Sequence, residues 1–439
     1  MVSERSRRMS LPSEVFVLPS LRSPFAKMDR ELGVLDALQL SVPVVQQAVV
    51  GRGGPGPGAE SDVDLVVWGA VVPNLTLSNW AREVWLEAGL DPHVAAVTVV
   101  QQCGTSLAGA THAAGQILAG SVHLALCGGV DSMSSAQIGL SRKLSRTIRR
   151  TAAAKGARGI LDQLKQVRRK DLRLAIPAVK ERTTGLSMGQ HAEVTARQWG
   201  IGREDQDAFA AASHRNALRA RDDGFYRPLL VTPGTFPVDA DSLPRADSTV
   251  EALARLQPAF DRETGTLTAG NSSPLTDGAA SVWMAGAEGL TRLPHDAPRV
   301  RLVDWEQAGV DIDAEGLLMA PALAIPRLLG RRGLRYEDVG LWEIHEAFAA
   351  QVLSTIAALD DGDWVRKSAG VEADLGRFPR ERVNPNGGSI ALGHPFGATG
   401  ARILSQTAAQ LAPMPGGSKA VVSVCAAGGL GHVALLEAV

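Results

Sequence analysis

The chain has 439 residues, of which 45% are hydrophobic, with a formal charge of −1 at neutral pH and three cysteines. This length can bury a large core, and the near-neutral charge excludes a chain-wide attraction to nucleic acid or membranes. The sparse cysteines, the lack of a secretory apolar segment and the absence of any apolar run of about 18 residues predict a cytoplasmic protein without disulfides, a cysteine-built zinc site or a membrane span.

Short apolar runs alternate with alanine-rich stretches of helical length, which predicts an α/β protein with largely parallel buried strands. The first part predicts a strand at 63–72, a helix at 78–89, a strand at 94–102, a helix from about Thr105 and a strand at 123–129. Residues 136–271 change to charged helices and loops interrupted by proline and glycine, which is typical of an insertion. Strands are predicted again near residue 300, at 419–425 and at 431–439.

One arrangement occurs twice, with a strand that ends at a reactive residue and a helix that follows. VTVVQQ leads to Cys103 and then GTSLAGA, and GLWEI leads to His345 and then EAFAAQV. Two similar α/β halves would bring these strand ends into one crevice, where open α/β sheets usually bind ligands. Chance similarity between two short segments explains the pattern equally well, so these strings leave a duplication open.

Cys103 is predicted at the N-terminus of a helix rich in small residues. The helix dipole and unpaired backbone N–H groups at such a position stabilise a thiolate. An inert buried thiol is the commoner state of an isolated cysteine. Cys127, inside the strand HLALCGG, keeps that second interpretation.

Two further segments near the C-terminus carry reactive side chains. The loop NPNGGSIALGHPFGATGAR surrounds His394 with glycines and leads into a helix predicted from about Thr399. Because glycines let a backbone approach a ligand closely, this setting favours a catalytic base over the commoner structural histidine. Cys425 ends a strand and precedes a turn of small residues, whose N–H groups can point at an oxyanion.

Taken together, these segments resemble the thiolase family over most of the chain. QQCGTSLAGA is similar to its nucleophile motif, HEAFAA to its third motif, GGSIALGHPFGATGAR to its histidine motif and CAAGGLG to its second-cysteine motif. His345, where many thiolases carry Asn, is similar to the degradative type, and most of all to the β subunit of the fatty-acid oxidation trifunctional complex. One departure is QQC, where many thiolases have Asn shortly before the cysteine.

The resemblance implies the thiolase fold, with two similar α/β halves in a five-layered αβαβα core and an inserted loop domain. The implied divisions are an N-terminal half at 1–135, a loop domain that binds coenzyme A (CoA) at 136–271, a return to the N-terminal half at 272–296 and a C-terminal half at 297–439.

The resemblance also implies a reaction. Cys103 attacks the keto carbon of a 3-ketoacyl-CoA after His394 takes its proton, and Cys425 protonates the departing acetyl-CoA carbanion. His345 and His394 stabilise the enolate oxygen, and the N–H groups of Cys103 and Ala427 stabilise the tetrahedral oxygen. CoA is the co-substrate, and no metal or other cofactor is required. The residues implied to contact CoA or line its channel are Met188, Arg245, Ala269 and Ser273.

Residues 142–182 contain 14 Lys or Arg and 3 Asp or Glu, interleaved with apolar residues. One interpretation is a solvated face that attracts the phosphates of CoA. The other is docking to an anionic membrane surface or to a partner subunit of fatty-acid oxidation, as the resemblance to the β subunit implies. The family further implies a homodimer or tetramer.

Two other classes of function compete with a degradative thiolase. A biosynthetic acetoacetyl-CoA thiolase or a ketoacyl-synthase-like condensing enzyme shares the fold, but the condensing enzymes typically lack a second cysteine. A non-catalytic lipid carrier or scaffold would have lost reactive residues, and here all four are present. Acyl-chain length and physiological direction do not follow from the sequence.

Overall fold

The computed structural model describes residues 14–51, 53–165, 167–172, 174–175 and 179–439. The chain forms two compact units. The larger unit comprises the residues up to Val71, Asn79–Ser135 and Lys180–Val439, and the smaller unit comprises Val72–Ser78 and Ala136–Val179. The division of the chain at residues 135, 271 and 296 stays a prediction.

The described strands are β1 Val15–Arg22, β2 Ala26–Lys27, β3 Leu65–Ala70, β4 Ala95–Val97, β5 Leu124–Asp131, β6 Gly139–Leu140, β7 Leu174–Ala175, β8 Thr276–Ala285, β9 Val300–Gly309, β10 Leu341–Ile344, β11 Lys419–Ala426 and β12 Leu430–Ala438. The described α-helices are α1 Ala37–Val50, α2 Trp80–Glu87, α3 Thr105–Leu118, α4 Arg142–Ala152, α5 Gly156–Leu164, α6 Met188–Gln198, α7 Arg203–Asp222, α8 Val250–Leu253, α9 Ala287–Leu290, α10 Ile312–Glu315, α11 Ala320–Arg332, α12 Ala349–Asp360, α13 Gly362–Trp364, α14 Ser389–Leu392 and α15 Phe396–Leu411.

The strands of the larger unit form one 10-stranded sheet in the order β10-β11-β12-β9-β1-β8-β5-β3-β4, with β2 beside β8. Pairing is parallel between β3 and β4, β3 and β5, and β10 and β11, and antiparallel elsewhere in this sheet. The α/β class is confirmed, but the expectation of largely parallel strands is wrong. A short turn such as the one between β11 and β12 allows only antiparallel pairing, whereas parallel pairing needs a crossover.

Helices α3 and α15 pack against the sheet and against each other. Helix α15 packs on β1, β5, β8 and β11, and also on α3, which itself packs on β3 and β5. Their approach is close because Gly400 faces the backbone nitrogen of Leu107, and a Cβ on this glycine would lie 2.5 Å from that atom. Two further helices also pack on the sheet: α1 on β1, β5 and β8, and α11 on β9 and β12. Small residues in α15 therefore bring the ends of α3 and α15 together.

The start of the helix agrees with the sequence at one of the three reactive sites. Helix α3 begins at Thr105 as predicted, whereas α12 begins at Ala349, after a short connection that contains His345 and Glu346. The prediction of a helix from about Thr399 is wrong by about one turn, because α15 begins at Phe396. The carbonyl of Pro395 accepts hydrogen bonds from the N–H groups of Ala398 and Thr399, which starts the helix directly after His394 and Pro395.

The smaller unit is built from α4, α5 and the short antiparallel pair of β6 and β7. The Ser141 hydroxyl caps α4 by accepting from the Leu144 N–H at 3.3 Å, and Lys143 forms a 2.6 Å ion pair with Asp171. Helices α4 and α5 leave large apolar side chains exposed, including Ile148, Leu161 and Leu164. This unit carries most of the basic segment 142–182.

Candidate active site

Cys103 lies between a strained residue and the N-terminus of α3. Gln102 adopts a φ of +49°, a left-handed conformation that is costly for a residue other than glycine and is usually found where the surroundings enforce it. The Thr105 hydroxyl enforces it here, since it donates to the Gln102 carbonyl at 2.7 Å and accepts from the Gln101 N–H at 2.9 Å. The chain therefore presents Cys103 at the helix N-terminus, as predicted.

The surroundings of Cys103 favour its protonated form. Burial of the thiol raises its pKa to about 12, although the N–H groups of Ala427 and of Cys103 itself favour the thiolate. Desolvation of the thiol thus outweighs the dipole of the helix terminus, which favours the thiolate. The thiol is neutral at neutral pH and needs a base to become a nucleophile.

His345 and His394 form a buried pair with ring centroids 4.1 Å apart. Burial, with a smaller contribution from the nearby Arg402 cation, lowers the pKa of His394 to about 3. Burial and the proximity of His394 and Arg402 hold the pKa of His345 well below its ordinary value. Both imidazoles are therefore neutral at physiological pH, and a neutral imidazole can accept a proton.

The hydrogen bonds of His394 indicate which of its nitrogens accepts. Its Nδ1 lies 2.6 Å from the Thr399 hydroxyl, and that hydroxyl donates its hydrogen to the Pro395 carbonyl at 2.8 Å. Thr399 must then accept from Nδ1–H, which leaves Nε2 as the nitrogen with a free lone pair. The preceding Gly393 has a φ of +96°, so a residue with a side chain would strain this loop.

Cys425 lies at the buried end of β11, near Cys103. Burial, followed by the proximity of Cys103, holds the pKa of Cys425 well above its ordinary value, so this thiol also keeps its proton. β11 pairs in parallel with β10, and the His345 N–H donates to the Ser423 carbonyl at 2.8 Å. The ends of these two neighbouring strands therefore bring Cys425 and His345 to one place.

Glu181, which lies far from the turn between β11 and β12 in the sequence, forms a hydrogen bond with the backbone of this turn. The carboxylate of Glu181 accepts a 3.1 Å hydrogen bond from the N–H of Gly428, the residue after Ala427. Gly428 and Gly429 both have positive φ, which permits the tight turn. The Ala427 N–H is directed at the Cys103 sulfur, as its effect on the Cys103 pKa indicates.

The four residues assigned to CoA binding separate into two pairs. Met188 packs in the apolar cluster around Cys425 and Phe348, and Ser273 donates from N–H and hydroxyl to the Ala347 carbonyl at 3.0 and 2.9 Å. Arg245 is exposed and forms a 2.7 Å ion pair with Asp247, and Ala269 is exposed in a loop. Met188 and Ser273 thus lie beside catalytic candidates, while the described hydrogen bonds link Arg245 to none of them.

Sequence reasoning missed several buried polar residues around this site. Asn384 clamps the end of β10, since its side chain donates to the Ile344 carbonyl and accepts from the Ile344 N–H, both at 2.8 Å. It also donates to Glu346 at 2.7 Å. The Ser389 hydroxyl is hydrogen-bonded to Nδ1 of His345, and Arg402 donates to the same hydroxyl. The available signal was the presence of polar residues inside motifs that are otherwise small and apolar.

Among the described residues, no group of three or more His, Cys, Asp or Glu side chains is arranged to hold a metal ion. In the same part of the chain, no helix is both long and apolar enough to cross a bilayer.

Two family models and several known proteins match nearly the whole chain. Residues 15–288 match the family model for the thiolase N-terminal domain, and residues 297–438 match the model for the thiolase C-terminal domain. A 3-ketoacyl-CoA thiolase from Pectobacterium carotovorum is 40% identical over 426 residues, covering 95% of both chains. One from Vibrio cholerae is 38% identical over 432 residues, covering 96% of this chain and 97% of the relative.

Solved structures show the same fold. The acetyl-CoA acetyltransferase of Bacillus anthracis superposes with a TM-score of 0.77 at 31% identity, covering 98% of this chain and 100% of the other. A thiolase from Ascaris suum, solved in complex with coenzyme A, also gives a TM-score of 0.77, at 26% identity, covering 97% of this chain and 100% of the other.

Proposed function

Because this chain belongs to the thiolase family, and is thus an acyltransferase with the thiolase fold, we propose that it is a 3-ketoacyl-CoA thiolase working in the degradative direction of fatty-acid β-oxidation. The observation that carries the proposal is a neutral thiol and a neutral imidazole whose Nε2 is an acceptor, with a second protonated thiol beside the first. Such an arrangement supplies a nucleophile, its base and a separate acid.

In the first half-reaction, Nε2 of His394 takes the proton of Cys103 as the sulfur attacks the keto carbon of 3-ketoacyl-CoA. The C2–C3 bond then breaks, the acyl group stays on Cys103, and the acetyl-CoA carbanion takes the proton of Cys425. His394 is now cationic and Cys425 anionic. The two charges appear together, so this step leaves the site with no added net charge.

In the second half-reaction, the thiol of free CoA gives its proton to Cys425 and attacks the acyl carbon. Cys103 leaves as a thiolate and recovers its proton from His394, which restores every group. The N–H groups of Cys103 and Ala427 stabilise the tetrahedral oxygen. His345 and His394 stabilise the enolate oxygen, His345 through a water. Removing one such donor typically costs about 3 kcal/mol in the barrier.

CoA binding in this proposal uses Met188, Ser273, Arg245 and Ala269. The positions of Met188 beside Cys425 and of Ser273 beside Ala347 support a channel that ends at the two thiols. Every proton in the cycle moves between groups of the chain and its substrates, so the proposal needs no metal or redox cofactor.

The proposal extends to location and partners. We infer a cytoplasmic homodimer or tetramer, in keeping with three unpaired cysteines. The smaller unit, with exposed cations such as Arg149 and Arg150 beside exposed Ile148, is the part we assign to an anionic membrane surface or a β-oxidation partner subunit.

The experiment that tests the function is CoA-dependent cleavage of 3-ketoacyl-CoA substrates of increasing chain length, followed as loss of substrate and formation of acetyl-CoA. Turnover with at least one length is expected, and the length with the highest kcat/KM identifies the substrate class. A condensing enzyme would form ketoacyl products without rapid thiolysis, and a carrier would bind acyl-CoA without turnover. Either outcome contradicts the proposal.

A further inference from the structure

Two residues that have no role in the proposed catalytic cycle, Arg402 and Ser389, form a chain of hydrogen bonds that ends at His345. Ser389, the first residue of α14, is fully buried with its hydroxyl oxygen 2.9 Å from Nδ1 of His345. Behind it, Nη2 of the buried Arg402 lies 2.8 Å from the same oxygen. Ser389 is therefore held between a guanidinium group and an imidazole.

The direction of these bonds follows from the chemistry of the three groups. A guanidinium group only donates, so the Ser389 oxygen accepts from Arg402. Among the described residues, the remaining partner of this hydroxyl is His345 Nδ1, to which its one hydrogen must point. Nδ1 then carries a lone pair, and a neutral His345 must carry its proton on Nε2.

This tautomer is the opposite of the one at His394, although the two rings are neighbours. Thr399 accepts from Nδ1–H of His394 and leaves Nε2 as an acceptor, whereas Ser389 donates to His345 and leaves Nε2–H as a donor. Within the described residues, Nε2 of His345 is buried without a hydrogen-bond partner. One imidazole thus presents a base and the other a hydrogen-bond donor.

We propose that Ser389, held by Arg402, is a positioning residue that keeps His345 in the Nε2–H tautomer, so that it donates toward the enolate oxygen that forms in the reaction. The inference rests on the proposed function for the identity of that oxygen. The assignment of the tautomer is independent of the proposed function, because it follows from the hydrogen bonds alone.

Arg402 has a second effect in the same direction. Burial is the main reason that both histidines have lowered pKa values, and the charge of Arg402 adds to it, so the cation that orients Ser389 also disfavours protonation of His345. The charged and titratable groups that face Arg402 are Glu343, Glu346, Tyr226 and Arg22, and the two carboxyl groups partly offset the cost of burying the guanidinium. Substitution of Arg402 would disturb all of them, so Ser389 is the better residue to change.

The test is Ser389→Ala, which frees the proton of His345 to occupy either nitrogen. We expect kcat for thiolysis to fall about tenfold with KM changed less than about twofold, since the lost donation affects the transition state rather than substrate binding. The matched control is Ser354→Ala on α12, which removes a buried hydroxyl that has no described hydrogen-bond partner. This control should keep the wild-type kcat.

A double-mutant cycle separates positioning from packing. In a His345→Asn background there is no imidazole tautomer to fix, so adding Ser389→Ala should change kcat by less than about twofold. An equal loss in both backgrounds, or an unchanged kcat for the single Ser389→Ala variant, would overturn the proposal.

The tautomer itself is read from imidazole nitrogen NMR of protein labelled in histidine, with the His345 signals identified by their loss in His345→Asn. The wild type should show the Nε2–H pattern and Ser389→Ala a mixture. A wild-type Nδ1–H pattern refutes the inference whether or not the enzyme is active. Inactivity of the wild type toward every 3-ketoacyl-CoA would instead count against the proposed function.

Discussion

At the scale of single residues, Cys103 carries the covalent step of the proposed cycle. We predict that Cys103→Ser lowers thiolysis by roughly a thousandfold or more, because a serine hydroxyl is a far weaker acid than a thiol and His394 cannot deprotonate it to a useful extent. The measurement is turnover together with the intact mass of protein incubated with acyl-CoA, where the wild type gains one acyl group. A variant that still acylates at this position would refute the assignment of the nucleophile.

The pKa values of the resting site predict how Cys103 reacts with a simple alkylating reagent. Because the thiol pKa is raised to about 12 while that of His394 is lowered to about 3, the resting pair is a thiol and a neutral imidazole over the physiological range. The thiolate fraction then rises as pH rises. The rate of iodoacetamide modification of Cys103 should increase about tenfold per pH unit from roughly pH 7 to 10. A modification rate that is already independent of pH near neutrality would instead indicate a thiolate–imidazolium pair of Cys103 and His394.

Cys425 has a separable role, because it acts on the carbanion and not on the acyl carbon. Cys425→Ala should still allow slow acylation of Cys103 by a simple acyl-CoA, but it should block exchange of the acetyl-CoA α-protons with deuterated solvent. Mass spectrometry reads both events in one incubation. Survival of the exchange at the wild-type rate would assign the acid to another group.

At the scale of secondary-structure elements, strand β10 carries a carboxyl group into the packed interface with α15. Burial raises the pKa of Glu343 from 4.5 to about 7, although Gln410 donates to it at 2.8 Å and Arg402 lies nearby. A folded-state pKa above the unfolded value means that this group stabilises the fold at pH below about 4.5, and that the contribution is lost as pH rises through 7.

Glu343→Gln removes that dependence and keeps the shape of the side chain. The free energy of unfolding of the variant minus that of the wild type should increase by roughly 2 to 3 kcal/mol between pH 5 and pH 8, as measured by urea denaturation. A difference that is the same at both pH values would show that Glu343 is not protonated in the folded protein near neutrality.

The elements also show what sequence reasoning can and cannot reach. The helix start at Thr105 was predictable from a local pattern, and the ordered motifs were enough to select the four candidate reactive residues. The antiparallel pairing was not, since pairing direction depends on connections between distant segments. Ser389 and Asn384 were missed for a related reason. Their roles depend on contacts with His345 and Ile344, about 40 residues earlier, which no local pattern specifies.

At the scale of the whole molecule, the smaller unit is the part that carries the proposed docking surface. Arg149 and Arg150 are exposed on α4, Arg168 and Arg169 are exposed after α5, and Ile148 and Leu161 expose about half of their surface (50% and 52%). Each basic residue near an anionic bilayer contributes about 1 kcal/mol, so a few acting together give measurable binding that salt weakens.

We therefore predict that the protein co-sediments with anionic vesicles at low salt, and that neutral vesicles or high salt reduce this binding. Changing Arg149, Arg150, Arg168 and Arg169 to Gln should abolish the binding and leave thiolysis intact. A control with the same number of exposed arginines changed elsewhere, at Arg219, Arg221, Arg366 and Arg380, should bind like the wild type. Equal, negligible binding by all three proteins would contradict the membrane contact and leave a partner subunit or a solvated face.

The central position of β1 in the large sheet has a consequence for how the chain is made. β1 pairs with β8 on one side and β9 on the other, so it needs partners that lie roughly 270 residues further along the chain. A ribosome releases β1 long before it releases β8 or β9, and for that time the apolar strand lacks both of its neighbours in the described sheet. Growing chains of this enzyme should therefore depend on chaperones that shield an N-terminal strand, and a stalled chain that ends before β8 should aggregate through it.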